Sequence, residues 1–233
     1  MKAIYKRDLL SYFRTMSGYV FFAGIFLICG YFFSLNNIIE SSGSLSGMYD
    51  ALGICLTIIV PFMTVRIFLD GREVNTEQRL YVSSLEATVS KFGAVMTVFA
   101  AAVAGTWIFV GILSIFGSPY IAETVLRQLG LLLLCACMAS LTMFIISIAH
   151  RKMQAFVMIY TIVMVFFVAH SLIRLGTDAF YGRVFWMLGL FSQYSYFGAG
   201  ILSPGSLVYM LSFTGIFLLL SCIMLERKRQ RGL

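Results

Sequence analysis

Charged side chains are scarce in this sequence. Asp, Glu, Lys and Arg together make up only 12% of its 233 residues, whereas soluble domains typically contain about 25%. So few charges leave too little polar surface to cover a water-soluble globule. Apolar residues make up 60% of the chain and aromatic residues 15%, and disordered chains are poor in both. The composition therefore excludes a soluble domain and a disordered chain, and it indicates an integral membrane protein.

The common catalytic and nucleotide-binding motifs are also missing from the sequence. It contains no G-x-x-x-x-G-K-[ST] loop for phosphates and neither H-E-x-x-H nor G-x-S-x-G. Its ionisable residues lie near the ends of the apolar stretches, so none is expected at the membrane midplane. This distribution argues against an ion-coupled transporter, which usually carries a buried acid or a proton relay. We therefore expect no catalytic residue in this chain.

The cysteines do not form a metal-binding pattern. All five fall within predicted membrane spans, and Cys135 and Cys137 are two residues apart. Side chains two apart on a helix point to different sides, so this pair cannot hold one ion. We expect small buried apolar residues, and neither a metal site nor a cofactor in this chain. The five are Cys29, Cys55, Cys135, Cys137 and Cys222.

Long uncharged stretches separate the charged segments. About 20 apolar residues in a helix are needed to cross about 30 Å of hydrocarbon. The final uncharged stretch, 184–225, contains 42 residues and could hold two spans, but Pro204-Gly205 interrupts it. We predict an all-α protein forming a single transmembrane domain over 1–233, with six spans at about 18–36, 48–69, 92–116, 124–149, 153–173 and 206–225.

Basic residues are distributed unevenly between the predicted connections. With six spans, fourteen of the seventeen Lys and Arg residues fall on one side of the membrane, together with both termini. Seven spans would instead place the basic tail 226–231 on the other side. Because basic connections stay in the cytoplasm, we expect a multi-pass protein of the plasma membrane with both ends cytoplasmic. The net charge of +7 then reflects topology and contact with anionic lipid, and we expect no nucleic-acid partner.

Three segments differ from the spans. Residues 1–16 predict an interfacial amphipathic helix, because Tyr5, Leu9, Tyr12, Phe13 and Met16 share one helical face. Residues 70–91 mix four acidic and three basic side chains and predict a cytoplasmic segment that is solvated or contacts a protein. Residues 174–205 are rich in aromatics and glycine. They predict an outer re-entrant helical segment, since aromatic side chains favour the interface.

Three stretches of the sequence are similar to a known family. The first is YKRDLLSYF from Tyr5 with SGYVF from Ser17. The second is PFMTVRIFLDGREVNT from Pro61. The third combines FSQYSYFGAGILS from Phe191 with the stretch from Tyr209 to Arg229. Together they resemble the permease subunits of type II ATP-binding-cassette exporters, in the short six-span subgroup that includes gliding-motility-associated and NosY-like permeases.

This resemblance implies a function and partners. The chain would be the transmembrane subunit of an ATP-driven exporter and would form the translocation path as a homodimer or heterodimer. Separate cytoplasmic ATPase subunits would bind ATP and Mg. The resemblance also implies a coupling helix between spans 2 and 3 that contacts the ATPase, and an outer gate. The coupling candidates are Asp70, Arg72, Glu73, Thr76, Glu77 and Arg79; the gate candidates are Phe191, Tyr194, Tyr196 and Phe197.

An alternative function stays open at this point. A membrane scaffold or assembly anchor for an ATPase-linked complex would show the same charged cytoplasmic segment without moving a solute. The transported substrate is not encoded in any motif. The apolar and aromatic spans favour lipids, peptides or hydrophobic drugs over ions.

Overall fold

The protein is described here by a computed structural model. It describes residues 5–6, 9–10, 12–13, 16–39, 44–73, 84–116, 120–149, 152–174 and 189–230. Within these ranges the backbone of residues 17, 39, 67–73, 84, 116, 152, 169, 172–174 and 229–230 is helical, but their side chains are outside this description. Within the described ranges the chain is all-helical and contains no strand.

Residues 5–6, 9–10 and 12–13 are helical, and from Met16 onward eight α-helices and one short π-helical segment follow one another along the described chain. The π-helical segment, Ser34–Ile39, continues the first helix directly. The α-helices are α1 (Met16–Phe33), α2 (Ser46–Glu73), α3 (Ser84–Gly105), α4 (Trp107–Phe116), α5 (Ile121–Ile148), α6 (Lys152–Arg174), α7 (Leu190–Gly198) and α8 (Pro204–Gln230).

Five of the helical segments are long and apolar enough to cross a membrane, which makes the chain a multi-pass membrane protein. They are Gly18–Ile38, Ser46–Arg66, Leu85–Ile115, Ile121–Ile148 and Pro204–Lys228. The remaining predicted span, the fifth at about 153–173, corresponds to α6, which has 23 residues. Its apolar part, Met153–Val168, is shorter than the other five. A sixth crossing therefore stays a prediction.

The central helix of the bundle is α5. It contacts α2, α3, α6, α7 and α8. The buried share of the most apolar stretch is 78% in α5 and 67% in α2, against 28% in α1 and 22% in α8. Small residues on α5, among them Ala139 and Ser140, are completely buried and let neighbouring helices approach closely. Two central helices are thus enclosed by more peripheral ones.

The peripheral helices expose apolar side chains on their outward faces. Such surfaces would be unfavourable in water, whereas acyl chains cover them readily. The exposed side chains include Tyr19, Val20, Leu27 and Tyr31 on α1, Met153, Val157, Met164 and Val165 on α6, and Val208, Leu211, Ile216 and Leu219 on α8.

The bundle has two ends, which we name after a buried basic residue at each. The Arg127 end contains the first turns of α2, α5 and α8, and α7 lies beside them. At the Lys91 end, α3 begins and α2, α5 and α8 finish. Lys91 is 2% exposed and Arg127 is 6% exposed, so both are covered by protein even though each lies near the end of a helix.

Two features differ from the sequence-based boundaries. The third span does not begin near residue 92, because α3 already starts at Ser84. Thr88, Ser90 and Lys91 are buried against the bundle, so this part of the 70–91 segment is packed and not solvated. The predicted span 92–116 is also interrupted, since α3 ends at Gly105 and α4 begins at Trp107.

Candidate functional site

A cluster of one buried arginine and two partly exposed carboxylates joins the two central helices at the Arg127 end. We call Asp50, Glu123 and Arg127 the Arg127 cluster. The Nε and Nη2 groups of Arg127 donate to Oε1 of Glu123, one turn earlier on α5, at 3.0 and 2.7 Å. Its Nη1 lies 3.8 Å from Oδ1 of Asp50 in the first turns of α2. The contact with Glu123 lies within α5, whereas the contact with Asp50 is an ion pair, without a hydrogen bond, that links α5 to α2.

A neutral hydrogen-bond network lies beside this cluster. Nε2 of Gln128 donates to the hydroxyl oxygens of Tyr49, at 2.9 Å, and Thr106, at 3.1 Å. These two hydroxyl oxygens are 3.3 Å apart, and all three side chains are buried. We call these residues the Gln128 network. Because each buried polar group has a partner, the network stabilises the junction of three helices.

The interruption between α3 and α4 positions Thr106 for this network. The amide of Thr106 donates to the Val103 carbonyl, and the amide of Phe109 donates to the Thr106 carbonyl, each at 3.0 Å. These i→i+3 bonds tighten the helix locally. The Thr106 hydroxyl also donates to the Val103 carbonyl at 2.7 Å. Its proton is therefore used there, and the Tyr49 hydroxyl is the donor to Thr106.

The short helix α7 packs over the line where α2 meets α5. A Cβ built on Gly53 of α2 would lie 2.8 Å from the Tyr194 hydroxyl. A Cβ on Gly130 of α5 would overlap the Cβ of Phe197, which is completely buried. Burial raises the pKa of Tyr194, and the nearby Asp50 carboxylate raises it further. The Tyr194 hydroxyl therefore stays protonated beside the Arg127 cluster.

The two ends of α7 are held by other elements. After α7 the chain turns at Gly200, whose φ of 73° favours glycine, and Cγ of Glu123 lies 2.6 Å from the Cβ that this glycine lacks. The Ser206 hydroxyl of α8 donates to Oε1 of Gln193 at 2.7 Å. Nδ1 of His170 on α6 lies 3.4 Å from Oγ of Ser192. The helix is thus attached to α2, α5, α6 and α8.

The four predicted gate residues all lie on α7. Tyr194 and Phe197 contact the glycines of α2 and α5, and the Phe191 ring packs edge-to-face on Phe167 of α6 at 6.2 Å. Tyr196 is half-buried. Their predicted role as a gate is not tested by this placement, but they share one short helix beside the Arg127 cluster.

Three of the six predicted coupling residues lie at the Lys91 end of the bundle. Asp70, Arg72 and Glu73 belong to the last turn of α2, and their side chains lie outside the described residues. Thr76, Glu77 and Arg79 lie outside the described residues altogether. Their contacts with an ATPase stay a prediction.

Sequence reasoning did not assign a role to Arg127, Gln128, Tyr49 or Thr106. Arg127 lies in the second turn of α5 and is buried. One signal in the sequence could have located part of the site. Glu123 and Arg127 have the i,i+4 spacing of a helical ion pair at the start of an apolar stretch, where buried charges usually have a function.

The Lys91 end has its own polar contacts. The Tyr12 hydroxyl donates to Sδ of Met63 on α2 at 3.5 Å, and burial raises the pKa of Tyr12. Nζ of Lys228 lies 3.5 and 3.4 Å from the carbonyls of Ile148 and Ala149. A lysine at these carbonyls stabilises the C-terminus of α5. This end therefore joins residues before α1 to α2, and α8 to α5.

Comparisons with protein families and with curated sequences give no match. Among the described residues, no three His, Cys, Asp or Glu side chains group closely enough to hold a metal ion. The function must therefore be argued from the arrangement of the helices.

Proposed function

We propose that this chain is the transmembrane subunit of an ATP-driven exporter. In this proposal it pairs with a second permease subunit in the plasma membrane and is driven by separate cytoplasmic ATPase subunits, which hold ATP and Mg. The proposal is supported by the multi-pass helical bundle and by the family resemblance of the sequence. The Lys91 end faces the cytoplasm, because the basic residues Arg66, Lys91, Arg227 and Lys228 lie there.

The observation that carries the proposal is the length and continuity of α2. It contains 28 residues from Ser46 to Glu73, which at 1.5 Å per residue is about 42 Å. Its apolar span ends at Arg66, so the last turns extend beyond the apolar part of the helix. One element therefore connects Asp70, Arg72 and Glu73 with the Arg127 cluster at the other end.

Such a helix can transmit a displacement. Closure of the ATPases on ATP would push on the segment that begins at Asp70. Because α2 is helical throughout, movement at this end tilts or shifts the turns that contain Asp50 and Gly53. Such coupling requires packed helices that can adopt two discrete arrangements. The path would open where α2 and α5 separate, and α7 would close it.

Co-purification tests the proposal. An affinity-tagged copy, extracted in mild detergent, is expected to retain a nucleotide-hydrolysing subunit. The double reversal Arg72→Glu with Glu77→Lys should lower the retained ATPase about tenfold, because contacts between charged partners become repulsive. The matched control is Glu226→Lys with Arg227→Glu, which reverses two charges at the same end of the bundle and should retain the ATPase.

Two results would overturn the proposal. One is a wild-type chain that retains no ATPase although it is abundant in the membrane. The other is equal loss of the ATPase in both double variants. If an ATPase is retained but purified complexes in vesicles hydrolyse ATP without moving any hydrophobic probe, the scaffold function replaces the exporter function.

A further inference from the structure

Two glycines form paired contact points for α7. The Tyr194 hydroxyl packs against Gly53 on α2, and the Phe197 side chain packs against Gly130 on α5. Tyr194 and Phe197 are three residues apart and therefore lie on the same face of α7. This face crosses the line where α2 meets α5. The helix α7 can approach α2 and α5 this closely only if these two helices keep their present separation and register.

The Arg127 cluster sets that register. Asp50 precedes Gly53 by three residues on α2, and Arg127 precedes Gly130 by three residues on α5. The 3.8 Å contact between Arg127 Nη1 and Asp50 Oδ1 therefore lies one turn from both glycines. If this ion pair separates, the two contact points move relative to each other, and Tyr194 and Phe197 cannot both remain in place.

A second contact holds the turn that follows α7. Oε1 of Glu123 accepts two hydrogen bonds from Arg127, and its Cγ packs against Gly200. Arg127 thus positions Glu123, and Glu123 supports the turn between α7 and α8. The Arg127 guanidinium therefore contacts Asp50 near the start of α2 and, through Glu123, supports the turn at the end of α7.

The exposure of the three side chains makes this connection reversible. The Arg127 side chain is only 8% exposed, whereas those of Asp50 and Glu123 are 60% and 31% exposed. When the ion pairs separate, water immediately solvates the carboxylates of Asp50 and Glu123, so neither charge is left buried without a partner. Tyr194 of α7 is close enough to interact electrostatically with Arg127, so water reaches the buried guanidinium more easily when α7 moves away. Loss of the ion pairs and movement of α7 are therefore favoured together.

We infer that Arg127, with Asp50 and Glu123, is an ionic latch that holds α7 over the contact between α2 and α5. Arg127 is a positioning residue in this inference and does not itself contact a transported molecule. That the latch closes a transport path rests on the proposed function, whereas the latch itself can be tested without an ATPase.

Thiol accessibility of α7 tests the latch. Ser192→Cys places a near-isosteric reporter on α7, where the native serine is 1% exposed. Labelling by a membrane-impermeant maleimide is measured in membrane vesicles of both orientations, with the parent chain and its five cysteines as baseline. Arg127→Gln should raise the labelling rate about tenfold, because it leaves the carboxylates without their buried partner. Asp50→Asn should raise the labelling rate less, about threefold, because an ion pair with a largely exposed carboxylate contributes less stability.

Controls separate the latch from general loosening of the fold. Arg227→Gln makes the same chemical change at the Lys91 end and should leave the Ser192→Cys rate unchanged. A second reporter, Ser140→Cys, lies completely buried on α5 and should stay unlabelled in the Arg127→Gln chain. Arg127→Lys keeps the charge but has a single ammonium group, so it should restore only part of the protection.

The outcomes are distinct. Labelling of Ser192→Cys within about twofold of the parent rate in both Arg127→Gln and Asp50→Asn would overturn the latch. So would equal labelling of the Ser140→Cys reporter, which would mean a structural role only. A confirmed latch in a chain that retains no ATPase would leave the latch standing and would remove the exporter proposal alone.

Discussion

At the scale of single residues, glycine determines how closely α7 approaches the central helices. Gly130→Ala should destabilise the protein by about 1–3 kcal/mol, because the added methyl group overlaps Phe197 in a fully packed site. The measurement is the thermal unfolding temperature of the purified protein in detergent. The Gly130→Ala chain should unfold several degrees below the wild type.

The control for this substitution lies on a peripheral helix. A Cβ built on Gly24 of α1 meets no atom within 4 Å, so Gly24→Ala should be neutral or stabilise by about 0.5 kcal/mol through helix propensity. If both variants unfold at the same temperature, close contact between α7 and α5 is not important for stability.

At the scale of the element, α2 contains a weak point near its middle. Pro61 has no amide proton, so the helix loses one backbone hydrogen bond there. The Tyr160 hydroxyl of α6 donates to the neighbouring carbonyl of Ile58 at 3.0 Å, and the Phe156 ring lies 5.8 Å from that of Phe62. In this way α6 supports α2 where its own hydrogen bonding is incomplete.

Removing this support should loosen only the middle of α2. Tyr160→Phe is expected to increase amide hydrogen exchange around Pro61 about fivefold, since a neutral hydrogen bond contributes about 1 kcal/mol. Exchange measured by mass spectrometry should be unchanged in α5. Tyr19→Phe, which removes a hydroxyl from an exposed residue of α1, is the matched control. Uniform acceleration along the chain would contradict a local role.

At the scale of the whole molecule, the number of crossings decides which side each end faces. We expect α6 to cross the membrane although its apolar part is short, because the basic residues Arg151 and Lys152 precede it and favour the cytoplasm. Truncated chains fused to alkaline phosphatase, which is active only after export, should be active when the fusion follows Arg174. Fusions after Lys152 or at Leu233 should be inactive.

The opposite pattern would identify five crossings. If a fusion after Arg174 is inactive while one after Tyr120 is active, α6 does not cross. The basic tail would then lie on the other side of the membrane, and the cytoplasmic assignment of the C-terminus would be wrong. A fluorescent protein that folds only in the cytoplasm, fused at the same positions, provides the complementary readout.

Hydrophobic length was sufficient to locate most of the membrane helices from the sequence. Five predicted spans overlap the five membrane-long helical segments, because about 20 apolar residues in lipid leave the backbone no alternative to helix. The boundaries were less predictable. The start of α3 at Ser84 and the interruption at Thr106 depend on packing and on hydrogen bonds to Tyr49 and Gln128, which lie far away in sequence.

The sequence by itself determined that this chain is helical and embedded in a membrane, since composition and the length of apolar runs act locally along the chain. Only the tertiary structure decided which polar residues meet. Asp50 and Arg127 are separated by 76 intervening residues in the sequence and lie 3.8 Å apart in the fold. In a membrane each helix already forms its own backbone hydrogen bonds, so contacts between side chains determine which helices pack together. The ion pair and the fit of α7 to Gly53 and Gly130 are such contacts.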